Sequence, residues 1–136
     1  MNRIRRQLGQ AMSVRSEDGG ETFSADFRLP ADFVGFQGHF PGHPVLPGIC
    51  IIMACLVAGE LATDTRLSMQ RLKTAKFFTP VTAGRKIEMR GLVRPDSESG
   101  LIRLSADLTS NGEKVAQVRL FARAEASPAN SFGESN

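Results

Sequence analysis

The chain has 136 residues, a formal net charge of +3 and a hydrophobic fraction of 41%. This length suits one domain with its own core and is too short for two. The mildly basic balance and the lack of Trp and Tyr give little support for stacking on nucleic-acid bases, and an acidic protein partner fits at least as well. We therefore expect an ordinary soluble globular domain with no nucleic-acid partner.

The sequence carries no sign of export, membrane insertion or metal binding. Residues 1–6 are charged, but no apolar stretch of a signal peptide follows them, and the apolar run 49–59 is too short to span a bilayer. Cys50 and Cys55 lie in that run and point in different directions on a helix, so we expect buried free thiols in a reducing cytoplasm. No zinc-ligand spacing occurs, and neither a metal nor a cofactor is expected.

The first third of the chain predicts a short helix and then a strand. Ile4, Leu8 and Met12 recur at four-residue spacing among arginines, which indicates a possible amphipathic helix over residues 1–12. A turn signal follows at residues 17–20. Apolar and polar side chains then alternate over residues 23–29, which predicts a half-buried strand.

A helix that is apolar all round is predicted next. Pro47 and Gly48 open it, and we place its end near Ala62. Because it has no polar face, this helix should be enclosed by the rest of the fold.

Four strand-like stretches follow the helix, over residues 71–78, 86–94, 101–109 and 113–123. Asn111-Gly112 is a strong hairpin signal between the last two. Residues 125–136 are polar and predict a disordered tail. One enclosed helix and about five strands predict a single α+β domain over residues 1–124, in which an antiparallel sheet wraps a central helix. One short helix cannot cover such a sheet, so we expect a homodimer.

The loop before the helix is the most informative stretch. It reads Gly38-His39-Phe40-Pro41-Gly42-His43-Pro44-Val45-Leu46-Pro47-Gly48. Its prolines and glycines fix a defined shape, and His39 can titrate near neutral pH. Helix amides that face a histidine-bearing loop are suited to polarising a carbonyl group.

This loop resembles the signature loop of the (3R)-hydroxyacyl-acyl-carrier-protein dehydratases of bacterial fatty acid synthesis, which have the hot-dog fold. Residues 75–84, Ala-Lys-Phe-Phe-Thr-Pro-Val-Thr-Ala-Gly, are similar to a strand and turn of the same family. The resemblance covers about residues 23–122. It implies a lyase of fatty acid or polyketide biosynthesis that takes acyl carrier protein or acyl-CoA substrates, as a homodimer or a higher oligomer of dimers.

The resemblance also implies a role for individual residues. His39 matches the catalytic histidine, and Gly48 matches the glycine whose backbone N–H binds the thioester carbonyl. Val45 matches the position whose carbonyl orients the histidine ring, and Phe40 matches an aromatic residue beside the acyl tunnel. The family's acid, Asp or Glu, lies fourteen residues after the histidine, and here that position is Met53.

Met53 leaves the mechanism open, because a thioether cannot donate a proton. Loss of a general acid costs on the order of 10²–10⁴ in rate. Three interpretations follow. His39 performs both proton transfers in a slow or specialised dehydratase; another acid stands in, from this chain or across a dimer interface; or the chain binds acyl thioesters without dehydrating them. A thioesterase on the same fold is less favoured.

The missing acid could come from another carboxylate near the helix or the loop. Glu60 lies seven residues past Met53, roughly 10 Å along a helix, and we interpret it, like Asp64, as a solvated residue near the helix end. Asp32 is closer to the loop in sequence. His43 is best explained as a surface or loop-packing histidine.

Basic residues crowd the middle of the chain. Clustered at a tunnel mouth they would attract an acidic acyl carrier protein or the phosphates of coenzyme A. Ordinary outward-facing strand charges are an equally good interpretation of each one: Arg66, Arg71, Lys73, Lys76, Arg85, Lys86, Arg90 and Arg94.

Overall fold

One antiparallel sheet and a helix packed on its face organise the chain. The structure, a computed structural model, describes residues 3–17, 19, 21–37 and 44–125. In chain order the elements are α1 (Arg3–Ala11), β1 (Met12–Glu17), β2 (Thr22–Phe27), a 3₁₀ turn (Val34–Phe36), α2 (Gly48–Thr63), β3 (Arg66–Phe77), β4 (Ile87–Pro95), β5 (Ile102–Ser110) and β6 (Glu113–Glu125). The predicted disordered tail, residues 125–136, begins at Glu125, which is the last residue of β6, and its remaining residues, 126–136, lie outside the described residues.

The six strands lie in the order β1-β2-β4-β5-β6-β3, and every neighbouring pair is antiparallel. This confirms the predicted α+β class and each of the predicted strands, within a few residues at their ends. The sequence missed β1, whose alternation rests on only Met12 and Val14. It also placed the start of β3 five residues late, since Arg66–Gln70 is largely polar. β1 and β3 form the two edges of the sheet.

The β5–β6 hairpin turns where the sequence predicts. Asn111 and Gly112 have φ values of 51° and 80°. Positive φ at both central residues is the requirement of a type I′ turn, whose twist matches that of the strands.

Helix α2 is the core of the domain. Ten of its sixteen residues are buried, and at Gly59 an added Cβ would lie 2.5 Å from Leu104 Cδ1, so glycine permits a close approach between helix and sheet. The enclosure is incomplete, because Ile49 and Leu61 remain 57% and 51% exposed. None of the helices within the described residues is long and apolar enough to cross a membrane.

The two cysteines are free and buried in α2, as predicted. Burial raises the pKa of the Cys50 thiol. Burial, and secondarily the charge of Asp107, raises the pKa of the Cys55 thiol to about 12. Both thiols are therefore protonated and chemically quiet at neutral pH.

Candidate active site at the start of the central helix

The two sequence segments that carry the family resemblance lie side by side. Val45 forms an antiparallel bridge with Thr82, and the Leu46 N–H donates a hydrogen bond to the Val81 carbonyl, 2.8 Å away. Leu46 and Val81 are both buried, at 3% and 1% exposure. The chain that follows β3 therefore fixes the last part of the signature loop at the point where it enters α2.

The segment before the loop is fixed to the same place. At Gly35, in the 3₁₀ turn, an added Cβ would lie 3.1 Å from Cys50 Sγ, in the first turn of α2. Gly35 is three residues before the undescribed loop segment 38–43, and Gly48 follows that segment by five residues. Both ends of the loop are thus held near the first turn of α2.

The first turn of α2 presents backbone donors. Pro47 has extended backbone angles, and its carbonyl accepts hydrogen bonds from Cys50 N–H at 2.9 Å and Ile51 N–H at 3.3 Å. Gly48 is the first residue of the helix, so its N–H has no acceptor within α2. The helix dipole adds partial positive charge there, which favours an oxygen that gains negative charge.

An aromatic ring lies directly over this glycine. A Cβ at position 48 would be 2.9 Å from Cε2 and Cζ of Phe77, so any larger residue there would force the ring to move. Phe77 and its neighbour Phe78 are 47% and 48% exposed. The ammonium group of Lys114 lies 5.6 Å from the Phe78 ring centroid. Both phenylalanines belong to the sequence motif at residues 75–84, but nothing in the sequence assigns them a role or marks Lys114.

Met53 lies on the open side of the helix. It is half-buried against the core, one helical turn from Ile49, so the two side chains share a face. Ile49 is exposed and Phe77 lies beside Gly48. The described part of the site is therefore an apolar wall beside a set of backbone donors.

The Glu60 carboxylate is bound at the far end of α2, so the interpretation of Glu60 as a solvated residue is wrong. Its side chain is only 17% exposed, and Oε1 accepts a hydrogen bond from Arg5 Nη2 at 2.6 Å. Oε2 accepts a second from the Leu67 N–H at 2.8 Å. Glu60, the sole carboxylate of α2, thus ties α1 and β3 to the far end of the helix. Asp64 is the left-handed C-cap residue at φ 52°, and Asp32 is exposed after β2.

Replacing Glu60 with Ala is expected to destabilise the fold without removing activity from the folded fraction. The Leu67 N–H would lose its acceptor and Arg5 an ion-pair partner, a cost of about 1–3 kcal/mol for the part-buried group. Thermal unfolding of Glu60→Ala, beside the exposed control Glu88→Ala, measures this. If Glu60→Ala stays folded and yet loses activity, Glu60 is the missing acid after all.

Three predicted loop residues, His39, Phe40 and His43, lie in residues 38–43, outside the described residues. The role of the Val45 carbonyl depends on His39. These assignments stay predictions, and so do the binding roles of Gly48 and Met53, which lie five positions apart on α2.

The basic residues named from sequence do not all face the site. Arg85 forms an ion pair with Glu113 at 2.7 Å. Arg71 holds its guanidinium 4.7 Å from the centroid of the Phe121 ring. Lys76 precedes Phe77 in β3, so its side chain projects from the opposite face of the strand.

Comparison with known proteins agrees with this description. Residues 15–119 match the ApeI-like family, described as ApeI dehydratase. A 3-hydroxyacyl-[acyl-carrier-protein] dehydratase FabZ from Enterococcus faecalis is 34% identical over 119 residues, which cover 79% of this chain and 81% of that protein.

Two solved structures are similar in fold. The dehydratase heterocomplex ApeI:P from Xenorhabdus doucetiae matches with a TM-score of 0.64 at 19% identity, over 82% of this chain and 94% of that chain. The E. coli PaaI protein from the phenylacetic acid degradation operon matches with a TM-score of 0.65 at 15% identity, over 88% and 86% of the two chains. Together with the family match, they establish that the chain has the hot-dog fold and belongs to the ApeI-like dehydratases, within the hydroxyacyl-acyl-carrier-protein dehydratase family.

Proposed function

We propose that this chain binds (3R)-hydroxyacyl thioesters at the start of α2 and eliminates water from them, with His39 as the base. One observation carries the proposal: the Gly48 N–H has no acceptor within α2, the Phe77 ring lies against the same glycine, and the described residues on both sides of the loop that contains His39 are fixed nearby. Membership in a dehydratase family supports the same chemistry.

The proposed reaction needs one base and one oxyanion donor. Neutral His39 removes a proton from C2 of the acyl chain, and the electron pair moves toward the thioester carbonyl. The Gly48 N–H donates a hydrogen bond to that carbonyl oxygen as its negative charge grows. The enolate then collapses to the C2–C3 double bond, and the C3 hydroxyl leaves.

The leaving hydroxyl needs one proton, and Met53 cannot supply it. The imidazolium of His39 carries the proton just taken from C2, and returning it to the hydroxyl releases water and restores neutral His39. Protons and electrons balance without a second acid. The cost is that one group must reach two positions, so we expect catalysis slower than with a separate acid.

The carrier is proposed to be acyl carrier protein or coenzyme A. Both present a thioester on a long flexible arm that ends in negative charge. The exposed phenylalanines beside Gly48 provide an apolar entrance, and Lys114 lies next to it. Cations at such an entrance attract phosphate or an acidic protein surface.

Acyl-thioester binding without chemistry is the second candidate, and Met53 is the observation that favours it. Hydrolysis of the thioester has less support. It calls for a group that activates water, and the sole carboxylate of α2 is bound to Arg5 and Leu67.

The test is incubation with a panel of (3R)-hydroxyacyl thioesters, on acyl carrier protein and on coenzyme A, with mass spectrometry of the products. We expect loss of water from at least one substrate. His39→Ala should lower the rate by about 10²–10⁴. His43→Ala, in the same loop, is the matched control and should keep most of the rate.

The products separate the alternatives. Binding of intact substrate with no loss of water would establish the non-catalytic protein. Release of the free hydroxy acid would establish a thioesterase.

A further inference from the structure

A groove lies between α1 and the second half of α2. It has a volume of about 390 Å³, and the turn between α2 and β3 also lines it. Volumes of this size are typical of sites that hold small molecules. Leu61, in its α2 wall, is thirteen residues after Gly48, which is roughly 20 Å along the helix axis. We call it the α1–α2 groove, and it is separate from the candidate active site.

Gly9 leaves space in the α1 wall of this groove, at a cost to the helix. Glycine is the poorest helix former after proline, and Gly9 lies inside α1. A Cβ there would meet Val57 Cγ1 at 3.7 Å, which is an ordinary van der Waals contact. Among the described residues, the other glycines without positive φ all have a neighbour within 3.0 Å of an added Cβ: Gly35, Gly48, Gly59 and Gly91. Neither backbone conformation nor close packing therefore requires glycine at position 9, and a larger side chain there would occupy the groove.

The α2 wall of the groove is apolar. Val57 is 5% exposed next to Gly9, and Leu61, one turn further along α2, is 51% exposed. Residues four apart on a helix share a face, so Val57 and Leu61 form one apolar strip. A single exposed leucine on a convex surface needs no explanation. Here the exposed leucine lines a groove, which suits it to contact an apolar ligand.

The rim of the groove adds cations that a ligand can reach. The guanidinium groups of Arg6 and Arg66 have no hydrogen bond or ion pair with other described residues. Arg5 is bound to Glu60, and both oxygens of Glu60 accept hydrogen bonds. Asp64 is the other acid of the lining, so three arginines face two carboxylates and one positive charge is in excess. The groove therefore favours an anionic group.

We propose that the α1–α2 groove binds a small amphiphilic anion, an aliphatic chain that ends in a carboxylate or a phosphate group. The chain lies on Val57 and Leu61 in the space that Gly9 leaves open. The anionic group accepts hydrogen bonds from Arg6 and Arg66, whose paired N–H donors fit both carboxylate and phosphate oxygens. This binding does not depend on the reaction proposed at the start of α2.

Titration calorimetry of the full chain with octanoate and with octyl phosphate, each below its micelle concentration, tests the proposal. We expect one site per chain, and the tighter ligand identifies the anionic group. Octanol has the same chain without the charge and should bind at least about tenfold more weakly. Absence of binding by both anions, or equal affinity for octanol, would overturn the proposal.

Two exposed apolar residues at opposite ends of α2 give a matched pair that locates the ligand. Leu61 and Ile49 are 51% and 57% exposed, so replacing either with Gln leaves the core intact. Leu61→Gln should weaken octanoate binding by about tenfold or more, and Ile49→Gln should leave it unchanged. The reverse result would place the anion at the candidate active site, and equal losses would mean unspecific adsorption. Either outcome would refute the α1–α2 groove as the site.

The role of the arginines is tested by removing charge inside and outside the groove. Arg6→Gln/Arg66→Gln should weaken binding of both anions by about tenfold or more and leave octanol unaffected. Arg3→Gln/Arg15→Gln removes the same charge from exposed positions outside the groove and should keep the affinity within about twofold. Equal weakening by the two variants would reduce the effect to general charge attraction and contradict the proposal.

Filling the groove is the most direct test. Gly9→Leu should abolish binding of both anions, while thermal stability is kept or raised because leucine is the better helix former. Unchanged binding in folded Gly9→Leu would count against the groove. If octanoate binds only after residues 126–136 are deleted, the end of the chain is the occupant. If Leu61→Gln dissociates a dimer of this chain, a second copy is the occupant, and both results would overturn the proposal.

Discussion

Replacing Met53 with Glu is expected to raise the rate of water loss from a bound (3R)-hydroxyacyl thioester by at least about tenfold, because the substitution supplies a separate proton donor. Met53 is half-buried on the open side of α2, one turn beyond the exposed Ile49. A carboxyl there would lie on the helix face that bears Ile49, about one and a half turns from the Gly48 amide, and in the apolar setting that keeps it protonated. His39 would then need to act only as the base.

Stability should fall at the same time. A polar group replaces an apolar one that packs on the core, a cost of about 1–3 kcal/mol, moderated because the position is only half-buried. Met53→Gln is the matched control, since it has similar size and polarity but no acidic proton. It should lose similar stability and gain no rate. Thermal unfolding and the thioester assay on the same samples separate the two effects.

Adding His39→Ala to Met53→Glu should abolish the gain. The prediction is contradicted if Met53→Glu folds, binds acyl thioester and converts no substrate faster than wild type. In that case the wall of the site is shaped for binding or for another reaction, and thioester binding without dehydration becomes the favoured function.

Much of the fold could be predicted because its signals are local. The Asn111-Gly112 pair specifies its own turn, and the absence of a polar face on α2 specifies burial. Local signals could not predict which part of α2 stays uncovered. Ile49 and Leu61 are as apolar as their buried neighbours, and only the position of the sheet decides that they are exposed.

The sequence predicted only the part of the site that is contiguous in the chain. The loop motif and Gly48 are contiguous in sequence and lead directly to the start of α2. The contact between Gly48 and Phe77 joins two distant segments, as does the ion pair between Arg5 and Glu60, so neither follows from periodicity. A charged residue in an otherwise apolar helix could have suggested a buried partner for Glu60; no comparable signal marks Phe77.

Gly48→Ala is expected to lower the rate of dehydration by about 10–100-fold while the protein stays folded. The added Cβ would lie 2.9 Å from the Phe77 ring, which is exposed enough to move aside. The moved ring and the methyl group would together shift the thioester from the helix amide, and a misplacement of about 1 Å costs on the order of 10² in rate. Stability should change little, because Ala suits a helix better than Gly by roughly 0.5–1 kcal/mol.

Gly59→Ala is the matched control: the same substitution in the same helix, away from the site. There the added Cβ would lie 2.5 Å from Leu104 Cδ1, and Leu104 is 1% exposed, so the neighbour has no free space to enter. We expect a loss of about 1–3 kcal/mol in the free energy of unfolding, and nearly unchanged activity in the fraction that remains folded. The two glycines thus separate an effect on the site from an effect on packing.

A second substitution identifies the cause of the loss at Gly48. Phe77→Leu removes the ring that the new methyl group would meet, so Gly48→Ala/Phe77→Leu should recover most of the rate lost in Gly48→Ala. Phe77→Leu alone should stay within a few-fold of wild type, since Leu keeps an apolar wall. If the double variant is as slow as Gly48→Ala, the methyl group acts directly on the thioester, and the ring over the helix start has no part in positioning the substrate.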